Sequence, residues 1–121
     1  MINIKRLDHL QLCIPRGKED EARKFYTDIL GLYEIPKPAP LIPNGGLWYT
    51  AGDIQLHLGV EDVIARSKRH PAFEVTDLLS ARRHLEKNGV IINEETAIAG
   101  INRFSFIDPF GNRIELLQKI A

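Results

Sequence analysis

The sequence predicts an α+β fold in which two βαβββ modules form a curled mixed sheet with a cleft. The first observation is an internal repeat: residues 7–15 (LDHLQLCIP) resemble residues 69–77 (RHPAFEVTD), and the two stretches align at an offset of 61 residues, about half the chain. In this alignment His9 matches His70, and apolar residues match at the alternating positions that follow. The second observation is that each copy is followed by a helical pattern and then by three strand-like stretches.

Each copy of the repeat leads into a helix with one apolar face. The second helix has a thin stripe of Leu78, Ala81 and Leu85, and it follows the pair Thr76-Asp77, which suits a helix N-cap. In the first helix the apolar residues recur three and four positions apart, as one buried face requires. They are Ala22, Phe25, Tyr26, Ile29 and Leu30.

The strand-like stretches complete the two modules. One domain is predicted for the 121 residues, with modules at about 5–60 and 68–119. The connector, residues 60–69 (VEDVIARSKR), favours a short helix. The stretches are residues 32–35, 47–52 and 53–60 in the first half, and 90–95, 102–108 and 112–118 in the second.

Residues 34–46 (EIPKPAPLIPNGG) interrupt the first module. They hold four of the seven prolines in the chain. Because proline donates no backbone hydrogen bond, the segment is predicted to form no regular element. We expect a loop over one end of the sheet, where it would cover the mouth of the cleft and select the ligand.

Composition and charge exclude several classes of partner. The chain has 44% hydrophobic and 26% charged residues and a formal net charge of zero, the balance of an ordinary globular protein. It has no basic run suited to nucleic acid and no apolar run near the roughly 20 residues that span a membrane. Cys13 is the single cysteine, so no internal disulfide forms. With no apolar signal-peptide core at the N-terminus, a cytoplasmic location is predicted.

Four residues share the strand face opposite their apolar neighbours, because side chains alternate between the faces of a strand. They are His9, His57, His70 and Glu115. Three imidazoles and one carboxylate on one face indicate a metal-binding cleft for one divalent ion, with Zn, Ni, Mn and Fe as candidates. From the residues alone two alternatives stay open. Each histidine is also explained as an ordinary hydrogen-bonded strand residue, and Glu115 as the partner of Arg103 or Arg113.

Three segments make the chain similar to a known superfamily. They are LDHLQLCIP with the later EARKFYTDILGL, HPAFEVTDL, and the closing hairpin FSFIDPFGNRIELLQ, which is the most specific. Together they resemble the vicinal oxygen chelate superfamily, which includes glyoxalase I, fosfomycin-resistance enzymes, extradiol dioxygenases and bleomycin-resistance proteins. The resemblance extends from about Lys5 to Gln118 and implies two βαβββ modules.

The resemblance also implies roles for single residues. The first metal histidine of the superfamily falls on His9, its second-module histidine on His70 and its closing glutamate on Glu115. His57 stands at the variable fourth ligand position. The implied function is a metal-dependent lyase, isomerase, thiol/epoxide transferase or dioxygenase-class enzyme for a small oxygenated substrate, with Glu115 also moving a proton. The alternative is a non-catalytic protein that binds an antibiotic-like small molecule.

Further residues are candidates for substrate contact, and core packing is an equal alternative for the aromatic ones. A surface ion pair is the alternative for Arg103. We also expect a homodimer, because the sheet of each module has open edges. The candidate substrate-binding residues are Gln11, Trp48, Tyr49, Arg103 and Phe104.

Overall fold

The computed structural model describes residues 1–62 and 65–120. The chain divides into two compact units, Met1–Ile64 and Ala65–Ala121, and each contains one four-stranded mixed sheet. Both units follow the order βαβββ, which confirms the α+β class and the two modules predicted from the repeat. The curl of the sheet and its cleft stay predictions.

In the first unit the spatial strand order is β1-β4-β3-β2. Strands β1 and β4 are parallel neighbours, and the other pairs are antiparallel. The helix face predicted from the sequence is buried at Ala22, Phe25 and Tyr26, against a core that includes Tyr49 and Leu56. The elements are β1 (His9–Ile14), α1 (Glu19–Arg23) continuing as a π-helix (Lys24–Ile29), β2 (Tyr33–Ile35), a 3-10 helix (Ala39–Asn44), β3 (Leu47–Ala51) and β4 (Ile54–Val60).

The proline-rich segment is more regular than its sequence predicts. Its first residues belong to β2, and Ala39–Asn44 forms the 3-10 helix. Pro40 is accommodated in the first turn of this helix because the fixed φ of proline suits that position, where the missing N–H is not needed. Lys37 donates to the Gly45 carbonyl, and the Gly46 N–H donates to Glu19 Oε2 at 3.0 Å. The prediction of a segment without regular structure was therefore wrong.

In the second unit the spatial strand order is β5-β8-β7-β6, with β5 and β8 parallel. Asp77 caps α2 as predicted, since its side chain accepts from the Ser80 N–H at 3.0 Å. Leu78 and Leu85 of the helix are buried. The elements are β5 (Ala72–Glu74), α2 (Leu78–Lys87), β6 (Asn93–Glu94), β7 (Ile101–Ile107) and β8 (Arg113–Lys119).

The connector predicted as a short helix at 60–69 lies partly outside the described residues. Its described part has no helix, because Val60 ends β4 and residues 61–62 and 65–69 are irregular. None of the described helices is long and apolar enough to cross a membrane.

Candidate metal site

Strand register places four of the predicted site residues on one face of the first unit's sheet. In the parallel pair β1–β4, His9 aligns with Gln55 and Gln11 aligns with His57. In the antiparallel pair β3–β4, Trp48 aligns with His57. Aligned residues of neighbouring strands share a face, so the strand phase predicted for His9 and His57 holds in the structure.

Three rings on this face form a continuous stack. The indole of Trp48 and the imidazole of His57 are stacked with centroids 3.8 Å apart and planes inclined by 4°. On its other side His57 stacks on His9, with centroids 4.1 Å apart and planes inclined by 18°. Strand alternation predicts the shared face, but the stack itself requires the register and the side-chain rotamers.

Hydrogen bonds fix which nitrogen of His9 is available. His9 Nδ1 lies 2.9 Å from Asp8 Oδ2. The carboxylate accepts, so Nδ1 of the neutral ring carries the proton and Nε2 keeps its lone pair. This hydrogen bond lowers the pKa of Asp8. A carboxylate that orients an imidazole in this way is a common support for a metal-binding histidine.

The second histidine of the stack is engaged differently. His57 is 4% exposed, and its Nε2 lies 2.9 Å from Gln55 Oε1. An amide oxygen only accepts, so Nε2 of His57 carries the proton. Burial lowers the pKa of His57, and the neighbouring His9 adds to this effect. This arrangement gives no support to His57 as a metal ligand through Nε2.

The second unit brings His70 and Glu115 together. The parallel register aligns Ala72 with Glu115, and His70 stands two residues before Ala72, ahead of the first residue of β5. Pro71 extends this pairing, because its carbonyl accepts from the Glu115 N–H at 3.0 Å. As a result His70 Nε2 lies 3.3 Å from Glu115 Oε1.

The other nitrogen of His70 is anchored to the backbone. His70 Nδ1 lies 2.8 Å from the Lys68 carbonyl oxygen, to which it donates. In the neutral ring, Nε2 therefore presents a lone pair to an oxygen of Glu115. Two electron-rich atoms at this separation require a proton or a metal cation between them.

Arg103 controls the orientation of Glu115, which is 5% exposed. Its Nη1 donates to Glu115 Oε1 at 3.1 Å. Its Nε and Nη2 both donate to the Thr96 carbonyl, at 3.2 and 2.9 Å, so the guanidinium plane is fixed. The ion pair considered from the sequence for Arg103 is therefore present, and it joins the candidate site instead of the solvent-facing surface.

The sequence interpretation missed Glu95. Its Oε1 accepts from Ser105 Oγ and from Arg113 Nη2, both at 2.6 Å, and Ser105 is 1% exposed. Both hydrogen bonds lower the pKa of Glu95, and the one from Ser105 has the larger effect. Ser105 aligns with Glu115 between β7 and β8, so this cluster adjoins the His70 pair. Glu95 follows the short strand β6, and no periodic pattern in the sequence identifies it as a candidate site residue.

Two of the predicted substrate-contact residues lie on the strand faces that pack against the helices, opposite the faces of the candidate metal ligands. Tyr49 is fully buried, lies 6.1 Å from Tyr26 between ring centroids, and pairs its hydroxyl with Thr27 Oγ1 at 2.9 Å. Phe104 is 1% exposed and aligns with Leu116 of the apolar side. For both residues the core-packing alternative describes their contacts.

The candidate metal ligands thus occur as two pairs, His9 with His57 in the first unit and His70 with Glu115 in the second. Among residues 1–62 and 65–120, no group of three or more His, Cys, Asp and Glu side chains is arranged to hold a metal ion. The sequence assigned all four residues to one site, and that assignment stays a prediction.

Comparisons with known proteins identify the family. A family model described as the Glyoxalase/Bleomycin resistance protein/Dioxygenase superfamily matches residues 6–116. A solved glyoxalase family protein from Bacillus anthracis is 41% identical, with a TM-score of 0.93 and coverage of 98% of this chain and 99% of that chain. A comparison with curated proteins gives no significant match.

More distant structures show the same fold. A genomically encoded fosfomycin resistance protein from Listeria monocytogenes is 17% identical, with a TM-score of 0.77 and coverage of 98% of this chain and 97% of that chain. Lactoylglutathione lyase from Agrobacterium tumefaciens is also 17% identical, with a TM-score of 0.77 and coverage of 96% and 95%. With the family model matching nearly its whole length, the chain belongs to the Glyoxalase/Bleomycin resistance protein/Dioxygenase superfamily.

Proposed function

We propose that this protein is a metal-dependent enzyme of the glyoxalase type, a lyase, isomerase or thiol/epoxide transferase acting on a small oxygenated substrate. The observation that carries the proposal is the 3.3 Å separation of His70 Nε2 and Glu115 Oε1. Ligand atoms about 2.1 Å from one ion, at octahedral or tetrahedral angles, are roughly 3.0–3.4 Å apart. The pair therefore has the spacing of two ligands of one metal ion.

His9 is the proposed third ligand. Its Nδ1 is engaged by Asp8, and that of His70 by the Lys68 carbonyl, so both rings keep Nε2 for a metal. Two imidazoles and one carboxylate suit a divalent ion such as Zn, Ni, Mn or Fe. When bound, such an ion supplies Lewis acidity toward adjacent substrate oxygen atoms.

The protein residues would bind, orient and move protons. Glu115 is the proposed proton-transfer group, since a buried carboxylate fixed beside the substrate can accept and return a proton. Arg103 holds its Oε1 at 3.1 Å and is itself held by the Thr96 carbonyl. Gln11 and Trp48, on the same strand face as His9, are the proposed substrate contacts of the first unit.

Metal analysis combined with an activity screen tests this function. Purified protein should contain about one divalent ion per chain, and activity toward thiol adducts of 2-oxoaldehydes, fosfomycin or catechols should depend on it. A protein without divalent metal, which binds one of these compounds without turnover, would contradict the enzyme and support the antibiotic-like binding protein.

We expect a homodimer, because the four-stranded sheet of each unit has open edges with which a second chain can pair. Sedimentation equilibrium at micromolar concentration should give twice the mass of the chain, and a monomer mass would contradict the expectation.

Co-expression of His9→Ala and Glu115→Gln chains tests whether the metal site is shared between two subunits. A shared site should recover about a quarter of the wild-type metal, because about half of the dimers are mixed at random pairing and one of the two sites in each mixed dimer is intact. A site within one chain should recover none.

The segment between β2 and β3 is the proposed determinant of substrate choice. Ile35 at the end of β2 aligns with Trp48, so residues 36–46 leave and re-enter the sheet beside the ring stack. Leu41 and Ile42 of its 3-10 helix are 38% and 61% exposed, which gives the segment an apolar surface toward solvent.

Replacing residues 36–43 by a short Gly/Ser linker should change substrate preference while metal content stays the same. We expect a shift of about tenfold in the ratio of kcat/KM values for two substrates, as pocket contacts commonly produce. Lys37→Ala is the matched control, because it removes only the bond to the Gly45 carbonyl. Loss of the dimer with unchanged selectivity would instead show that the segment serves the subunit interface.

A further inference from the structure

We propose that His57 is a positioning residue that holds the His9 ring, and that it does not bind the metal itself. The inference rests on the proposed metal site. Its basis is the stack in which His57 lies between Trp48 and His9.

Ring geometry excludes the two stacked histidines as joint ligands of one ion. An imidazole binds a metal through a nitrogen lone pair that lies in the plane of the ring. The planes of His9 and His57 are inclined by only 18° while their centroids are 4.1 Å apart. Planes so nearly parallel meet on the order of 10 Å from the rings, whereas a bound metal lies about 2.1 Å from its nitrogen. In this arrangement one ion binds one of the two rings.

Exposure favours His9 over His57 as the ring that binds the ion. The Nε2 atom of His57 is engaged by Gln55 Oε1 at 2.9 Å, and the residue is 4% exposed. By contrast, His9 directs Nδ1 to Asp8 and its side chain is 46% exposed. A substrate and an ion therefore reach His9 more readily than His57.

The stack gives His57 a mechanical role. Gln55 fixes the rotation of the His57 ring, and Trp48 covers one of its faces at 3.8 Å. The opposite face is the surface on which His9 rests. A ligand ring held in place before the ion arrives loses less conformational freedom on binding. The surface on which His9 rests requires an aromatic ring at position 57, whereas the hydrogen bond from Nε2 to Gln55 serves only to fix the rotation of that ring.

Two substitutions separate positioning from ligation. In His57→Phe, which keeps a ring, the Co²⁺ affinity and the visible spectrum of the Co²⁺-loaded protein should stay close to wild type, within about threefold for affinity. In His57→Ala, the affinity should fall by about 10–100-fold, the range for residues that support metal ligands. Equal losses in both variants, with a changed Co²⁺ spectrum in His57→Phe, would overturn the inference.

A measurement without metal separates this inference from the proposed function. In metal-free protein, the imidazole ¹⁵N shifts of His9 report the fraction of the ring protonated at Nδ1. That fraction should drop in His57→Ala and recover in His57→Phe. If the His9 shifts change in this way among the variants and the wild-type protein binds no divalent ion, the proposed function is overturned and the positioning role remains. Unchanged His9 shifts in His57→Ala would overturn the role.

Pulsed EPR on wild-type protein loaded with Cu²⁺ tests the inference without any substitution, so the result does not depend on whether a variant folds. Two coordinated imidazoles, from His9 and His70, are expected. Three coordinated imidazoles would identify His57 as a ligand and overturn the inference.

Discussion

Replacing His70 by alanine should weaken divalent metal binding by more than about 100-fold, beyond the range typical for residues that only support a ligand. Glu115→Gln should have a comparable effect, because it keeps the shape of the side chain and removes the charge. The physical reason is the 3.3 Å pair itself, in which a lone pair and a carboxylate oxygen converge. In Glu115→Gln, Arg103 also loses its charged partner, while its hydrogen bonds to the Thr96 carbonyl remain.

Competition with a chromophoric chelator measures these affinities, and far-UV circular dichroism establishes that the variants fold. His84→Ala is the matched control, since His84 belongs to the exposed part of α2. Full metal binding in both His70→Ala and Glu115→Gln would remove these residues from the site. Loss in His84→Ala as well would point to a general effect of removing imidazoles from the surface.

Much of the fold follows from local rules that act within the sequence. The repeat around His9 and His70 predicts two βαβββ modules, because each copy sets the same alternation and is followed by a helix with one apolar face. Alternation alone also predicts that Glu115 faces away from Ile114 and Leu116. The structure agrees, since Glu115 meets His70 on the side opposite the apolar core.

Other features depend on information that local rules do not carry. The Trp48–His57–His9 stack depends on the pairing of β4 with both β1 and β3, which is a property of the folded sheet. The helical pattern at 22–30 likewise predicts one α-helix. Its second part is a π-helix, where the Leu30 N–H donates to the Phe25 carbonyl at 2.9 Å, and the apolar spacing alone does not distinguish this wider turn from an α-helical one.

Strand alternation distinguishes the adjacent residues Trp48 and Tyr49, which were both predicted to contact the substrate. Neighbouring residues of a strand point to opposite faces, so these two side chains cannot both line one cleft. Trp48 stacks on His57, whereas Tyr49 is buried toward Tyr26. The same alternation separates Arg103 from Phe104, so it favours Trp48 and Arg103 as the residues near the site.

Gly46→Ala should strongly destabilise the first unit, at a cost of at least about 3 kcal/mol. Gly46 has φ +86°, and a Cβ at this position would lie 2.0 Å from the Leu58 carbonyl oxygen. That oxygen belongs to the backbone of β4, so it cannot move without disturbing the strand that carries His57. The Gly46 N–H also donates to Glu19 Oε2, which links this position to α1.

Gly52→Ala is the matched control, because it isolates backbone strain from steric overlap. Gly52 has φ +60°, but a Cβ there would meet nothing within 4 Å, so only about 1–2 kcal/mol of left-handed strain is expected. Urea unfolding followed by the fluorescence of Trp48, the single tryptophan, reports on the first unit directly. Equal costs for the two substitutions would mean that the strand relaxes around the new methyl group. A larger cost for Gly46→Ala, with a shifted Trp48 emission, would show that the close approach of Gly46 to β4 also sets the position of the ring stack.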